Sequence, residues 1–212
     1  MKKTRIAVLV SGGGTNLQAL IDAQMRNELG GGEIAAVISS KEGAYALERA
    51  AKAGIPGHVL SRKNFDSNQA MTVALVDMLK TLSIDLIVLA GCMVIFTKEL
   101  TEAYPNAIMN VHPALIPSFC GKGFYGLHVH EAALQYGVKL SGATVHFVSE
   151  ECDGGPIIAQ KAVPVLSNDT PETLQKRIME EAEWILLPHA VSLFCQGRLS
   201  VKGRTVIIKE ED

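Results

Sequence analysis

The regular alternation of short β-branched segments with longer segments of helical period constrains the fold of this chain most strongly. The apolar runs RIAVLV, EIAAVISS, HVL, DLIVLAG and AIMNVHP are separated by stretches in which apolar residues recur at about every third or fourth position. Strands that are apolar on both faces are typical of parallel sheets covered by helices on both sides. Residues 1–112 are therefore predicted to form a doubly wound α/β half with a mostly parallel sheet.

The pattern changes in the second half of the chain. Two further β segments, SGATVHFVSE and PIIAQKAVPV, flank the turn ECDGG, which predicts an antiparallel C-terminal extension of the sheet. A long amphipathic C-terminal helix is predicted to follow and to end at Gly197. Asp169 or Thr170 is its expected N-cap, and Pro171 its first residue. Pro188 is predicted to kink or divide this helix.

Composition narrows the function classes. With 212 residues, a net charge of -2 and no linker or repeat, the chain is predicted to form one domain, 1–212, in which residues 113–212 complete a site begun by residues 1–112. A nucleic-acid partner has no electrostatic support, and no apolar run approaches the roughly 18 residues of a membrane helix. The four cysteines are scattered without a C-x-x-C pair, which predicts a reducing compartment and a cytoplasmic location.

The segment VLVSGGGTNLQAL leads from the first predicted strand into a helix through three glycines. Backbone amides at such a turn, together with the helix dipole, form an anion site, and Thr15 and Asn16 add side-chain donors. Leu17 occupies the third-glycine position of a dinucleotide fingerprint, and no P-loop lysine follows Gly14. A monophosphate is the expected ligand. The alternative is a plain tight turn in which Thr15 or Asn16 caps the helix.

A second group of polar residues follows the fifth apolar run. Asn110 and His112 are two residues apart, so they share one face of an extended chain, at the carboxyl end of a strand where open α/β sheets bind ligands. They could equally satisfy local backbone groups. Asp153 precedes two glycines and could simply cap its own turn. If its carboxylate reaches His112 instead, we expect it to raise the pKa of the imidazole.

Several motifs together resemble one protein family. The segments SGGGTNLQAL, LAGCM, NVHPALIP and GATVHFVSEECDGGPIIAQ are similar to those of the folate-dependent formyltransferases, and in particular to the glycinamide ribonucleotide branch. The resemblance implies a Rossmann-like formyltransferase fold. It also implies direct transfer of the formyl group of 10-formyltetrahydrofolate to the amine of 5'-phosphoribosylglycinamide, through a tetrahedral intermediate, in de novo purine biosynthesis. These two small molecules are the expected partners, and no metal is expected.

The resemblance also assigns roles to residues. It implies that Gly14, Thr15 and Asn16 hold the substrate phosphate. It implies that Asn110 and protonated His112 meet the formyl oxygen. The carboxylate that orders water and raises the histidine pKa is then Asp153, which stands at the matching position of the motif.

The folate site and one glutamate are placed by the same resemblance. The expected folate-binding residues are Met93, Val94, Ile95, Phe96, Asn110 and Asn68. Some family members carry arginine at the positions of Val94 and Asn68, so the folate preference of this chain stays open. A glutamate on the substrate-amine side is expected in the C-terminal helix: counting back from Pro188 selects Glu183, whereas counting forward from KRI selects Ala182.

Other readings remain open at this point. A formyltetrahydrofolate deformylase shares the same three polar residues but gives the formyl group to water. A methionyl-tRNA formyltransferase is less favoured, because little sequence follows Arg198 for a tRNA-binding domain. A phosphate- or nucleotide-binding module without chemistry is the third alternative. Either a monomer or a homodimer fits the sequence.

Overall fold

In this computed structural model, which describes residues 3–210, one mixed sheet runs through the chain. Its strands are β1 (Thr4–Val10), β2 (Gly32–Ser39), β3 (Gly57–Val59), β4 (Leu86–Leu89), β5 (Ile108–His112), β6 (Leu140–Phe147), β7 (Ile157–Pro164), β8 (Leu199–Lys202) and β9 (Thr205–Ile208). The order across the sheet is β3-β2-β1-β4-β5-β6-β7-β9-β8. The chain therefore builds the sheet outward from β1 in both directions.

Helices cover this sheet. They are α1 (Thr15–Met25), α2 (Tyr45–Lys52), α3 (Asn68–Thr81), α4 (Lys98–Ala103), α5 (Leu127–Tyr136), α6 (Pro171–Ile178) and α7 (Trp184–Cys195). A short 3-10 turn lies at Arg62–Asn64, and a π segment at Met179–Glu183 joins α6 to α7. None of the helices in the described residues has both the length and the hydropathy needed to cross a bilayer.

The predicted doubly wound half is confirmed. β1 pairs in parallel with β2 and β4, and the parallel pairing continues to β3 on one side and β5 on the other. Alternate residues of β1 enter different cores: Ile6 and Val8 belong to one buried cluster, Ala7 and Leu9 to the other. Each face of the parallel strands is therefore covered, which explains why these strands are apolar throughout.

The antiparallel extension is also confirmed, since β6 pairs antiparallel with both β5 and β7. The hairpin of β8 and β9, however, was not predicted. Its strands are joined by a turn at Gly203, which has a φ of 61°, and Thr205 pairs with Ile157 of β7. The signal was present in the sequence, since LSVK and TVII are short alternating runs around a glycine turn.

The C-terminal helix begins as predicted and divides at a different place. The Thr170 side chain accepts a hydrogen bond from the Thr173 amide, and Pro171 follows as the first helical residue. The expected division at Pro188 is wrong, because α7 continues through this proline and the irregular turn lies earlier, at Met179–Glu183. A proline removes the bond to the carbonyl four residues before it, which here is the first residue of α7. This carbonyl directly follows the π segment, at the point where the regular helix resumes.

Candidate active site

The glycine turn after β1 packs against the start of α2. Gly14 is the N-cap of α1 with a φ of 71°, and a Cβ on it would lie 2.7 Å from the Cβ of Ala46. The Ala46 amide donates to the Gly12 carbonyl at 3.2 Å. No side chain caps α1 at its start, so the alternative in which Thr15 or Asn16 is the cap is not found. The first-turn amides of α1 form an uncapped helix N-terminus, which suits an anion.

Asn16 connects this turn to the π segment. Its Nδ2 donates to Oε2 of Glu183 at 2.7 Å, and both side chains are buried. Burial raises the pKa of Glu183 to about 7, and the hydrogen bond from Asn16 opposes the rise. Of the two positions left open by the sequence, Glu183 reaches the turn, whereas Ala182 lies fully buried in the core. The side-chain donor of Asn16 is thus engaged by Glu183.

Asn110, His112 and Asp153 converge at the carboxyl end of β5. The His112 Nδ1 lies 3.5 Å from Oδ2 of Asp153, and the Asn110 Nδ2 donates to Oδ1 at 3.4 Å. The loop after β5 closes over the group: His112 Nε2 donates to the Phe119 carbonyl at 2.8 Å, and the Gly121 amide donates to Asp153 Oδ2 at 2.9 Å. The three residues that the sequence singled out therefore do meet, although the last two lie 41 positions apart along the chain.

The turn that carries Asp153 is held against β6. Asp153 has a φ of 54°, a left-handed conformation that aspartate tolerates better than most residues. Two residues later, a Cβ on Gly155 would lie 1.8 Å from the Phe147 carbonyl oxygen, so only glycine permits the turn to approach the strand this closely. The D-G-G sequence thus positions the carboxylate beside β5 and β6.

His146 is a member of this cluster that the sequence analysis missed. It lies on β6 directly opposite Asn110, and its Nε2 is 3.2 Å from Asn110 Nδ2 and 3.6 Å from Asp153 Oδ1. Its Nδ1 donates to the Phe147 carbonyl at 2.9 Å, so Nε2 is the nitrogen that can accept from Asn110. A polar residue within the apolar run TVHF was the available signal, but only the β5–β6 register reveals its partner.

Burial and the neighbouring groups together set the pKa values of His112 and Asp153. Burial lowers the pKa of His112 below its usual value, while Asp153 and the Phe119 carbonyl act to raise it and His146 lowers it further. The expected net rise is therefore wrong, although the carboxylate acts in the predicted direction. Burial acts to raise the pKa of Asp153, but contacts with His146, His112 and the Gly121 amide outweigh it and hold the pKa below its usual value. Asp153 is thus an anion at neutral pH.

The segment expected to bind folate leaves β4 beside the glycine turn. The Met93 amide donates to the Ser11 hydroxyl at 2.9 Å. Met93 and Ile95 are 61% and 72% exposed, whereas Val94 and Phe96 pack on the second core cluster. The segment thus presents alternate apolar side chains to solvent, where a ligand can reach them. Exposed apolar side chains beside polar groups are typical of ligand sites.

Asn68 lies at the start of α3. Its Oδ1 accepts from Arg62 Nε at 2.5 Å, and the same guanidinium also donates to the Phe65 carbonyl. One turn further along α3, the Thr72 hydroxyl accepts from the Thr97 amide at 3.2 Å, which joins this helix to the end of the 93–96 segment. Asn68 therefore stands near that segment, but its side chain is already engaged by an arginine.

Among residues 3–210, no group of three or more histidine, cysteine, aspartate or glutamate side chains has a geometry that could hold a metal ion. His128 and His130 lie on α5 and form no ion pair with the cluster within the described residues. His128 is exposed and pairs with Glu131 at 3.0 Å, and His130 is fully buried on α5, where burial lowers its pKa to about 4.

Comparison with known proteins identifies the family of this chain. Residues 4–191 match the formyl transferase family model. The chain belongs to the formyl transferase family. It is 44% identical over 202 residues to a phosphoribosylglycinamide formyltransferase of Haemophilus influenzae, which covers 95% of this chain and 91% of the relative.

Solved structures of formyl transferases share the fold. A glycinamide ribonucleotide transformylase of Symbiobacterium toebii superimposes with a TM-score of 0.93 at 43% identity, covering 98% of this chain and 95% of the other. A formyltetrahydrofolate deformylase of Pseudomonas syringae also superimposes, with a TM-score of 0.87 but at 26% identity, and 67% of its chain is covered. The transferases are thus much closer in sequence than the deformylase, while the fold is common to both.

Proposed function

We propose that this formyl transferase moves the formyl group of 10-formyltetrahydrofolate to the amine of 5'-phosphoribosylglycinamide, a step of purine biosynthesis. The observation that supports this most is the convergence of Asn110, His112 and Asp153 at the end of β5, within the same fold and family as the transferases. The amine nitrogen attacks the formyl carbon, a tetrahedral intermediate forms, and the bond from that carbon to the folate nitrogen breaks to release tetrahydrofolate.

We assign the stabilisation of the intermediate to Asn110 and His112. Both carry N–H donors at the carboxyl end of one strand, and donors aimed at a developing oxyanion are often the largest catalytic contribution. His112 Nε2 carries the hydrogen, because the carbonyl it faces can only accept. In the working complex the formyl oxygen takes the place of the Phe119 carbonyl at this nitrogen.

Asp153 assists the proton transfers of the reaction. The attacking amine loses a proton during the reaction and the departing folate nitrogen gains one, so a proton must cross the site. His112 is the donor, and an anionic Asp153 at 3.5 Å favours its charged form against the effect of burial. We further propose that Asp153 orders a water molecule that carries the proton.

The remaining subsites are assigned to the glycine turn and to the 93–96 segment. The amides of Gly14, Thr15 and Asn16 hold the phosphate, and Glu183 lies next to them on the side of the substrate that carries the amine. The exposed side chains of the 93–96 segment, together with Asn110 and Asn68, receive the folate. Val94 and Asn68 stand where some family members carry arginine, so we expect the folate tail to contact fewer positively charged side chains in this protein.

A release assay tests the proposal. Purified protein is mixed with 10-formyltetrahydrofolate, with and without 5'-phosphoribosylglycinamide, and tetrahydrofolate and the formylated amine are measured together. We expect both products only when the amine is present, in equal amounts. Tetrahydrofolate without the amine would overturn the transferase proposal in favour of the deformylase, whose fold the chain shares. Phosphate binding with no turnover would favour a non-catalytic module.

Three further predictions stay open to measurement. We propose that residues 1–212 form a single formyltransferase domain, in which one continuous sheet joins the phosphate half, 1–112, to the remainder. We also propose a cytoplasmic location, supported by four cysteines that are all free in the structure. The chain is predicted to be a monomer or a homodimer, which sedimentation of the purified protein would distinguish.

A further inference from the structure

Arg49 of α2 donates hydrogen bonds to residues on both sides of the glycine turn that follows β1. Its Nε donates to the Gly13 carbonyl at 2.8 Å, and its Nη1 donates to Oε1 of Gln18 at 2.9 Å. These two partners flank the three residues whose amides are proposed to hold the phosphate. A planar guanidinium with several fixed donors is suited to such a bridge, whereas a lysine offers only a point charge.

The guanidinium is ordered before any ligand arrives. Its Cζ lies 4.9 Å from the centre of the Tyr45 ring, one helical turn back on α2. The Arg49 side chain also packs beneath the turn, since its Cδ is 3.6 Å from the position a Cβ on Gly14 would take. An arginine held by two hydrogen bonds and an aromatic face loses little further freedom when an anion binds.

The guanidinium of Arg49 donates to two uncharged partners, the Gly13 carbonyl and the Gln18 side-chain amide. Within the described part of the chain, it takes part in none of the ion pairs, whereas Arg26, on the same groove, pairs with Glu28 at 2.8 Å. The groove has a volume of about 280 Å³ and is also lined by Thr15 and Gln18. Asp22 lines the same groove, but its carboxylate accepts from the Gln18 side-chain amide at 2.8 Å and, among the described residues, it forms no ion pair with Arg49, whose positive charge stands beside the amides of the turn.

We propose that Arg49 is a positioning residue for substrate phosphate: it fixes the conformation of the turn through Gly13 and Gln18, and its free positive charge strengthens anion binding there. This inference rests on the proposed function for the identity of the substrate. It does not depend on it for the chemistry of the site, because the same geometry suits inorganic phosphate.

Kinetics of two substitutions test the proposal. For Arg49→Gln we expect KM for 5'-phosphoribosylglycinamide to rise about tenfold, as for the loss of one hydrogen-bonded charge. The KM for 10-formyltetrahydrofolate and kcat should change less than about twofold. Arg49→Lys keeps the charge but not the bridge, so its KM should lie between those of the wild type and Arg49→Gln. Lys52→Gln is the matched control, since Lys52 lies 5.5 Å from the same tyrosine ring without touching the turn, and it should behave as the wild type.

A substrate analogue without phosphate separates this role from a purely structural one. Dephosphorylated ribosylglycinamide should react equally slowly with the wild type and with Arg49→Gln. Without a phosphate on the substrate, the charge of Arg49 has no anion to stabilise. A loss of rate on this analogue equal to the loss on the phosphorylated substrate would overturn the role in phosphate binding. Equal KM values for the wild type, Arg49→Lys and Arg49→Gln would overturn it as well.

Binding of inorganic phosphate, measured by calorimetry, distinguishes failure of this inference from failure of the proposed function. If the wild type binds phosphate and Arg49→Gln binds it about tenfold more weakly, the inference stands even where no formyl transfer is found. If both bind it equally, the inference is wrong even where transfer is normal. Arg49→Lys provides the same comparison if thermal melting shows that Arg49→Gln does not fold.

Discussion

The glycine turn after β1 and the polar cluster after β5 lie on either side of β4, yet they are built in different ways. The turn is one continuous segment, 11–16, supported from below by α2 through Ala46 and Arg49. The cluster draws its members from β5, from β6 and from two loops, and its contacts range from 2.8 to 3.6 Å. The turn therefore depends on local backbone geometry, and the cluster depends on how distant segments pack.

Their electrostatics differ for the same reason. The turn would hold its ligand mainly with backbone amides, whose donor character does not change with pH. In the cluster, Asp153 lies 3.5 Å from His112 and 3.6 Å from His146, so the pKa values of His112 and Asp153 reflect these neighbours as well as burial. Changes in the turn should consequently appear in substrate binding, and changes in the cluster in turnover and its pH dependence.

The largest effect should come from His112→Ala. Removal of a donor to the oxyanion and of the proposed proton donor should lower kcat by at least about 10²–10³. Binding of 5'-phosphoribosylglycinamide, measured by calorimetry, should stay within a few-fold of the wild type because the phosphate turn is untouched. His128→Ala removes an exposed histidine that pairs with Glu131 and contacts the Tyr125 ring, and it serves as the control with expected normal turnover. Near-normal turnover of His112→Ala would remove this residue from the mechanism.

Asp153→Asn should have the next largest effect, a fall in kcat of about ten- to a hundredfold. The carboxylate raises the pKa of His112 against burial, so its loss should lower that pKa further. If the reaction needs protonated His112, the rate falls as pH rises through its pKa, and this limb should move to lower pH in the variant. A kcat–pH profile that keeps the wild-type position would contradict the proposed coupling.

Gly14→Ala should affect the glycine turn rather than the polar cluster. A Cβ at this position requires a left-handed φ of 71° and lies 2.7 Å from Ala46, so the turn must shift. We expect a loss of about 1–3 kcal/mol in the free energy of unfolding and a rise of about tenfold in KM for the phosphorylated substrate. Gly13→Ala is the matched control, because a Cβ there meets no atom within 4 Å. Equal stability and KM for the two variants would show that the contact with α2 does not shape the turn.

The smallest effect concerns Glu183, which accepts a hydrogen bond from Asn16 of the glycine turn. Burial raises its pKa to about 7, above the usual value of 4.5, so the folded state retains a proton that the unfolded state releases between these pH values. Stability from this group is thus present below about pH 4.5 and decreases as pH rises towards 7, by an amount on the order of a few kcal/mol. Urea unfolding at pH 5 and 7.5 should show this loss in the wild type and a smaller one in Glu183→Gln. Identical pH dependence in the two proteins would show that Glu183 does not retain its proton.

Local patterns predicted most of the fold and one end of the site. Apolar runs buried on both faces indicated the parallel strands, and the capping residues Thr170 and Pro171 marked the start of α6. The β8–β9 hairpin was missed although its alternation was visible. The division expected at Pro188 is not found either, because α7 continues through this proline and the irregular turn lies at Met179–Glu183.

By itself, the sequence determined that a strand, a glycine turn and a helix succeed one another at residues 4–25, and that Asn110 and His112 share a face of β5. These are consequences of neighbouring residues, for which short-range periodicity and backbone conformation suffice. Only the tertiary structure decided that Asp153 reaches His112, that His146 joins them, and that burial outweighs the carboxylate in the pKa of His112. These results depend on strand register and on the exclusion of water, which arise only when segments far apart in the chain pack together.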